Sequence, residues 1–523
     1  MKNSKSTGLD NVDTASIKLV IHDILPALTH IVNLSLSTLV FPGAWKVAKV
    51  TPLSKKGDPL DPSNYRPVAL LPILSKIMER VVFKQVVGYV ENNGLLHPSH
   101  HGSRARHSTC TAMIEMYDNW VNSIERDELA GVMMLDLSAA FDLVDHSLLL
   151  KKLELMGFDK RVVVWFWSYL SGRTQCVYID GKLSDVRAVP VGVPQGSVLG
   201  ALLYILFVNE LPEVVHGHDG NTCVQDEGGV KFNLTCPECG SLCCYVDDST
   251  YFYSSSSPAL LSEKLSAQYR KIADYMSANR LVINDEKTHL VVMGTKKYDK
   301  ARSEVYIDTG SVVVTPSETQ KLLGINIHQS MKWKEHIISN EKSMIKMLRT
   351  RLNALVMIAS RANFKTRLMV ANACFMSILT YMVAVWGGTE EYIIKAVQVM
   401  QNKAARSVTK LSWYTPTRIL LQQCNWLSVR QLIFFHTALL VWRVKNTKHP
   451  VYINSKFQPS RTRTADQGNF MIPVVEFSLS RKSFMVRSAS VWNSIPPDIR
   501  NSNTIGTLKK KLKEWTKLNI DLN

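Results

Sequence analysis

The chain begins without an apolar leader: Met1 to Asp13 are mostly polar, small or charged, so nothing resembles the apolar core of a signal peptide. It has no uninterrupted apolar run of the roughly 18 residues that cross a bilayer, so no membrane partner is expected. Its nine cysteines are an odd number scattered over 523 residues, a poor basis for a disulfide framework. Reduced thiols or a metal site in an intracellular compartment fit better. There is no internal repeat, and no low-complexity run beyond Ser254–Ser257. With 46% hydrophobic and 20% charged residues, long disorder is excluded as well.

What the chain has in surplus is positive charge. Lys and Arg number 62 against 44 Asp and Glu, a formal charge of +18, with a pI near 9.4. A surplus of that size suits a polyanionic partner, since each phosphate contact releases condensed counterions. The length is too great for one compact core, so two or three domains are expected.

Hydrophobic spacing organises the chain. Residues 15–40 read as a helix ended by Phe41-Pro42-Gly43, and Trp45 to Leu53 as an extended stretch. Leu70 to Val90 reads as a helix opened by Pro72, and a second helix follows the capping pair Ser108-Thr109. Val132 to Leu135 suits a strand buried on both faces that delivers Asp136 at its end, with a helix through Leu148–Leu155 after it. Asp180-Gly181 marks a hairpin between Thr174–Ile179 and Val186–Val189. Residues 213–242 form a polar, cysteine-bearing insertion. From about residue 338 the pattern is helical and basic, and Leu508 to Trp515 reads as a basic amphipathic helix.

Two acidic elements carry the chemistry. Tyr245-Val246-Asp247-Asp248 lies between apolar and aromatic residues, which places the aspartates at a hairpin tip. Alone, such a pair is more often a solvated turn, because adjacent buried carboxylates repel unless a cation sits between them. The second element, Leu135-Asp136-Leu137-Ser138-Ala139-Ala140-Phe141-Asp142, changes that balance: an acid ending a buried strand serves no packing purpose. Asp136 and Asp247 stand 111 positions apart and meet only by folding. Two-metal phosphoryl transfer needs such convergence, and Mg²⁺ takes oxygen ligands of this type.

The ordered set resembles the reverse transcriptase of a non-LTR, jockey-like retrotransposon from about residue 35 to the C-terminus. The resemblance implies an α+β right-hand polymerase. Its expected parts are an N-terminal helical extension (1–35), fingers and palm (36–328, an antiparallel sheet bearing the aspartates), a basic helical thumb (329–450) and a C-terminal region (451–523). It implies two Mg²⁺ ions, replaceable by Mn²⁺, at Asp136, Asp247 and Asp248. Asn64-Tyr65-Arg66-Pro67 matches the fingers motif, so Arg66, with Lys55, would bind the incoming triphosphate. Pro194-Gln195-Gly196-Ser197-Val198-Leu199-Gly200 matches the template and nucleotide platform, Gln195 and Gly196 facing the nucleotide and a helix starting at Ser197. Asn284-Asp285-Glu286-Lys287-Thr288 resembles the motif whose lysine protonates pyrophosphate, and Leu322-Leu323-Gly324-Ile325 the primer grip. Tyr381 to Gly387 resembles part of the thumb. Phe141 stands where the family places a ring against the 2′-hydroxyl, which selects deoxynucleotides; in the alternative it is an ordinary core aromatic on the helix after the strand.

Implied partners are an RNA template, a DNA primer or nicked target DNA, and dNTPs, with assembly in the cytoplasm and action in the nucleus. The stretch before Lys55 is too short for the endonuclease such elements carry, so a chain without one is expected. Gly102-Ser103-Arg104 and Gly200-Ala201 depart from the family's usual residues, which keeps open a decayed or host-adopted nucleic-acid-binding remnant. An RNA-templated RNA polymerase is a third reading that Phe141 disfavours. Cys223, Cys236, Cys239 and Cys243 have zinc-like spacing within the insertion, although Cys243 and Cys244 on one strand must face opposite ways.

Overall fold

The computed structural model describes residues 6–55, 57–216, 239–460 and 468–521. Helix α1 (Thr14–Thr38) starts where the Asp13 carboxylate accepts from the Ser16 N–H at 2.7 Å and stops at Leu39, φ 61°. A window within it reaches a mean hydropathy of 1.5 with 17% buried, so among the described residues α1 is by itself long and apolar enough to cross a bilayer. Lys18 and Asp23 interrupt it, which is why a search for an unbroken apolar run passes over it.

Strands β1 (Val47–Ser54) and β2 (Tyr65–Leu70) pair antiparallel, with Leu53 across from Arg66. Helix α2 (Ile73–Asn92) follows Pro72, and α3 (Thr109–Glu125) opens on a reciprocal cap between Ser108 and Thr111. Next come β3 (Leu129–Leu135), α4 (Lys160–Leu170) and β4 (Thr174–Ile179), which joins the first sheet parallel to β1. Asp180 and Gly181, φ 47° and 83°, make the expected hairpin turn. The return is shorter than expected, two residues each at Lys182–Leu183 and Arg187–Ala188. Helix α5 (Gly200–Phe207), strands β5 (Ser241–Tyr245) and β6 (Asp248–Ser255), helix α6 (Pro258–Ala278) and strand β7 (His289–Met293) complete this half. The hairpin β8 (Thr319–Leu322) and β9 (Ile325–His328) then leads into a helical half: α7 (Met344–Ala359), α8 (Glu391–Thr409), α9 (Val429–Thr447), α10 (Phe484–Ser494) and α11 (Ile505–Asn519).

The central sheet runs β7-β3-β6-β5, all antiparallel, and β3 is its keystone. Every residue of β3 is buried, because both faces of the sheet are covered. Ala130, Val132 and Met134 point into a core that continues through α3 into α7, α8, α9, α10 and α11. Leu129, Met133 and Leu135 point into a second core built with α2, α4, α5 and α6. Each fully buried Leu or Met contributes roughly 1.5–3 kcal/mol, so the strand is held from both sides. A Cβ at Gly131 would meet Leu265 at 2.8 Å, which lets α6 lie close across the sheet.

The helical half and α3 also share a polar joint. His101 Nε2 lies 3.3 Å from Glu115 Oε2, and His101 Nδ1 lies 3.1 Å from the Tyr452 hydroxyl, all three buried. Burial pushes Glu115 up to about 8. Burial first, then the neighbouring His107, His100 and Arg104, holds His101 well below its ordinary range. Burial thus favours the neutral form of both groups, with His101 Nδ1 hydrogen-bonded to the Tyr452 hydroxyl.

A carboxyl that binds its proton more tightly in the fold than in the free chain stabilises fully below about 4.5. It loses that contribution as pH climbs through about 8. Thermal unfolding of the parent protein should thus fall by a few degrees between about pH 6 and about pH 9. Glu115→Gln, which keeps a donor toward His101 and adds no charge, should fall by less; parallel slopes would remove Glu115 as the cause.

Candidate active site

The register of β3 with β6 ends at Leu135↔Ser249, one residue short of Asp136 and Asp248. Those two residues stand just beyond the last pair, near enough for the charge of Asp136 to act on Asp248. On the other edge Tyr245 pairs with Asp248, so the tight turn consists of Val246 and Asp247 alone. Asp247 is thus at the hairpin tip, and Asp248 already opens β6. Val246 has φ 62°, a left-handed conformation that costs a β-branched residue about 1–3 kcal/mol. It is held there from below. The segment before Gly102 runs parallel to β5, with His101 N–H donating to the Cys244 carbonyl at 2.8 Å, and a Cβ on Gly102 would meet Val246 Cγ2 at 2.4 Å.

Asp248 is pushed up to about 6, first by burial and then by the charges of Asp247 and Asp136. Its side chain is open to solvent, so repulsion among the three acids is the firmer of the two causes. Lys287 reaches this group: its Nζ lies 3.7 Å from Asp136 Oδ2. Asn284 N–H donates to the Asp136 carbonyl at 2.9 Å, and the Asn284 side chain accepts from the Lys287 N–H at 3.2 Å, which clamps the lysine turn onto the strand end. With both side chains about half exposed, the ion pair adds little stability.

A second group forms beside the first. Phe141 sits in a turn closed by Asp142 N–H to the Ala139 carbonyl at 2.8 Å, not on the helix after the strand. Its ring packs against Tyr204, centroids 5.2 Å apart, and Tyr204 in turn lies close enough to Asp247 to feel its charge. Gln195 Nε2 donates to Asp142 Oδ2 at 2.9 Å. Burial raises the Asp142 carboxyl, while the Gln195 bond and the Lys55 charge oppose that rise. Asp142 therefore ties together the Phe141 turn, the Gln195 loop and the lysine at the end of the β1–β2 hairpin. Arg66 stands on the same hairpin, exposed. Gly196, φ 119°, presses on β2, where a Cβ would come 2.6 Å from the Ala69 carbonyl oxygen. A cavity of about 390 Å³ opens beside Asp142 and Gln195, with Lys46 and Arg173 in its walls.

The platform helix starts at Gly200, three residues later than the sequence suggests. Val198 and Leu199 give their N–H groups to the buried Glu79 carboxylate, at 2.6 and 3.2 Å, and Ser197 Oγ accepts from the Gly200 N–H. Sequence reading missed Glu79, since a buried acid inside an amphipathic helix carries no local signal. It also passed over Asp142, although the Phe141-Asp142 pair was in view. On the far side of the acids, Leu323 and Gly324 form a two-residue turn with φ 45° and 88° between β8 and β9.

Of the proposed zinc ligands, Cys223 and Cys236 lie outside the described residues. Cys243 is buried in one core and Cys244 in the other, facing opposite ways as expected. Among the described residues no three His, Cys, Asp or Glu side chains converge on one point as they stand. That holds for the three aspartates too: they are neighbours without being a closed cage. An open set of hard oxygen donors is nevertheless what suits Mg²⁺, which keeps waters and substrate oxygens in its shell.

The family model for reverse transcriptase (RNA-dependent DNA polymerase) matches residues 53–327. The chain is 26% identical over 458 residues to a probable RNA-directed DNA polymerase from transposon BS of Drosophila melanogaster, covering 87% of this chain and 48% of that protein. It is 26% identical over 415 residues to the RNA-directed DNA polymerase from mobile element jockey of the same species, covering 79% and 43%. The chain thus spans about half the length of the curated relatives it matches. Among solved structures, telomerase from Candida tropicalis with a fragment of telomeric RNA matches with a TM-score of 0.40 and 10% identity, over 96% of this chain and 68% of that one.

A carboxylate near 6 ties cation binding to pH. Mn²⁺ affinity, read by electron paramagnetic resonance, should be about fourfold tighter at about pH 7.5 than at about pH 5.5, because one proton must leave Asp248. Affinity that ignores pH, or that survives Asp136→Asn unchanged, would mean the cation sits elsewhere.

Proposed function

The chain belongs to the reverse transcriptase (RNA-dependent DNA polymerase) family, and from that premise we propose that it extends a DNA primer on an RNA template, as in the movement of a non-LTR element. The single observation that carries this reading is that Asp136 and Asp248 stand just beyond the last pair of β3 with β6, near enough for charge to act between them, with Asp247 on the adjoining turn.

In the proposed reaction a primer 3′-hydroxyl attacks the α-phosphate of a dNTP and pyrophosphate departs. Asp136, Asp247 and Asp248 would hold two Mg²⁺ ions, or Mn²⁺ in their place, which when bound supply positive charge to the attacking and leaving oxygens. Lys55 and Arg66 at the β1–β2 hairpin hold the triphosphate. Lys287, kept at the strand end by Asn284, gives a proton from Nζ to the departing pyrophosphate oxygen. Phe141, backed by Tyr204, presents a ring edge to the sugar and excludes a 2′-hydroxyl. Gln195 and Gly196 line the nucleotide platform, with Asp142 fixing the Gln195 amide. Leu323 and Gly324 carry the primer terminus, and the basic helices after residue 338 follow the duplex through its phosphates.

We place this work at nicked chromosomal DNA in the nucleus after assembly with RNA in the cytoplasm, by family likeness. The remnant reading is disfavoured by the joint survival of Asp136, Asp247, Asp248, Gln195 and Lys287 in one neighbourhood, since decay has no reason to spare them together.

Two outcomes follow. With an RNA template, DNA primer, Mg²⁺ and dNTPs, Asp247→Asn should lower kcat by about a thousandfold; equal extension by parent and variant would sink the metal assignment. Phe141→Ala should narrow discrimination between ribo- and deoxynucleotides at least about tenfold, measured as the ratio of kcat/KM values. Unchanged discrimination would return Phe141 to the core.

A further inference from the structure

One tyrosine of the helical half has contacts that the reaction above leaves unused. Between the helical turns Ser377–Thr380 and Val383–Trp386 the chain breaks, with Met382 at φ 48°. The break turns Tyr381 back toward the sheet. Its hydroxyl donates to the Leu323 carbonyl at 2.7 Å and lies 3.3 Å from Thr109 Oγ1. Its ring covers Gly324, where a Cβ would come within 3.2 Å of it. The tyrosine backbone is itself secured, since the indole N–H of fully buried Trp386 donates to the Tyr381 carbonyl at 2.9 Å.

These contacts bear on three elements, of which α3 and the acidic hairpin also meet directly, through a hydrogen bond between the Thr109 backbone and Tyr245. Leu323 and Gly324 are the turn between β8 and β9. Thr109 is the first residue of α3. Tyr245 ends β5 two residues before Asp247, and Tyr381 lies near enough to add to the effect of burial in raising the Tyr245 phenol.

Core packing does not explain the hydroxyl. Tyr381 is 40% exposed, and phenylalanine would cover Gly324 equally well. A cavity of about 240 Å³, bordered by Gly324, Met344, Met347, Ser377 and Ile378, lies beside the turn. On that side the turn itself is open, while the strands that flank it are anchored in the core by Leu322 and Ile325. A hydrogen bond of good geometry from a secured donor is what fixes it.

We propose that Tyr381 is a positioning residue: its hydroxyl locks the Leu323-Gly324 turn against α3 and the acidic hairpin, and so sets where a primer 3′ end lies relative to Asp136, Asp247 and Asp248. This rests on the polymerase reading and adds to it a device that acts through the turn, without touching the reacting atoms.

The test compares the parent chain, Tyr381→Phe, and, as control, Tyr306→Phe, an exposed tyrosine ahead of β8 and outside the helical half. Each is given an RNA template annealed to a DNA primer ending in 2-aminopurine. Fluorescence is read at saturating duplex without dNTPs, and extension kinetics are measured separately. Tyr381→Phe should change the fluorescence of the primer end, lower kcat about tenfold and leave the KM for dNTP within about twofold. Its melting temperature should match the control. Parent-like fluorescence and kcat would overturn the proposal, and so would a fall in melting temperature with a matching loss in every parameter. If the parent itself fails to extend while Tyr381→Phe still changes the fluorescence, the polymerase reading falls and the placement of the primer end stands.

Discussion

Repulsion among three carboxylates is the constraint around which the chain is arranged. Asp136 pairs with Lys287, and Asp248 bears the consequence of the crowding, its carboxyl lifted to about 6 by burial and then by Asp247 and Asp136. Such an arrangement survives only if the elements that carry it cannot move apart. Strand β3 is therefore buried on both faces and paired on both edges, so that sliding by one residue would turn every side chain into the wrong core. The energy that crowds the acids is drawn from the packing of two separate apolar clusters.

The same logic suits one of the contacts that join the helical half to α3, which is neutral rather than an ion pair. Glu115, His101 and Tyr452 sit behind the hairpin that bears Asp247, deep enough that a net charge there would be costly. Both ionisable groups of that trio are uncharged near neutrality, so the joint adds directionality without a buried field acting on the acids in front. Cations appear instead at the rim: Lys287 at Asp136, and Lys55 near Asp142, each open to solvent and able to meet an anion.

Local pattern made the scaffold legible. The apolar run ending at Asp136, the turn at Asp180-Gly181 and the cap at Ser108 each encode their geometry in a few neighbouring residues, and each is found where the sequence puts it. That Asp136 comes near the Asp247-Asp248 pair was legible too, through residue types that packing alone does not require. What stayed hidden depends on partners far along the chain. Glu79 looks like any helix carboxylate until Val198 and Leu199 fold over it and delay the platform helix to Gly200. Asp142 reads as the tail of a motif until Gln195 arrives from 53 residues away. Phe141 was open between core and site because only the fold places it in a turn over Tyr204.

Backbone conformation gives the last link between fold and function. Most residues in the left-handed region here are glycines or lie at helix ends, where that conformation is ordinary. Among the rest are Ala139, Val246, Leu323 and Met382, alongside Asn11, Ser103, Arg106, Asp180 and Met331. Ala139 bends the chain between Asp136 and Phe141, and Val246 aims Asp247. Leu323 makes the turn beside Gly324, and Met382 points Tyr381 at that turn. None of these side chains favours such backbone, and each costs on the order of 1 kcal/mol to hold there. At these four bends tertiary contacts, such as Gly102 under Val246 and Tyr381 over Gly324, have overridden local preference.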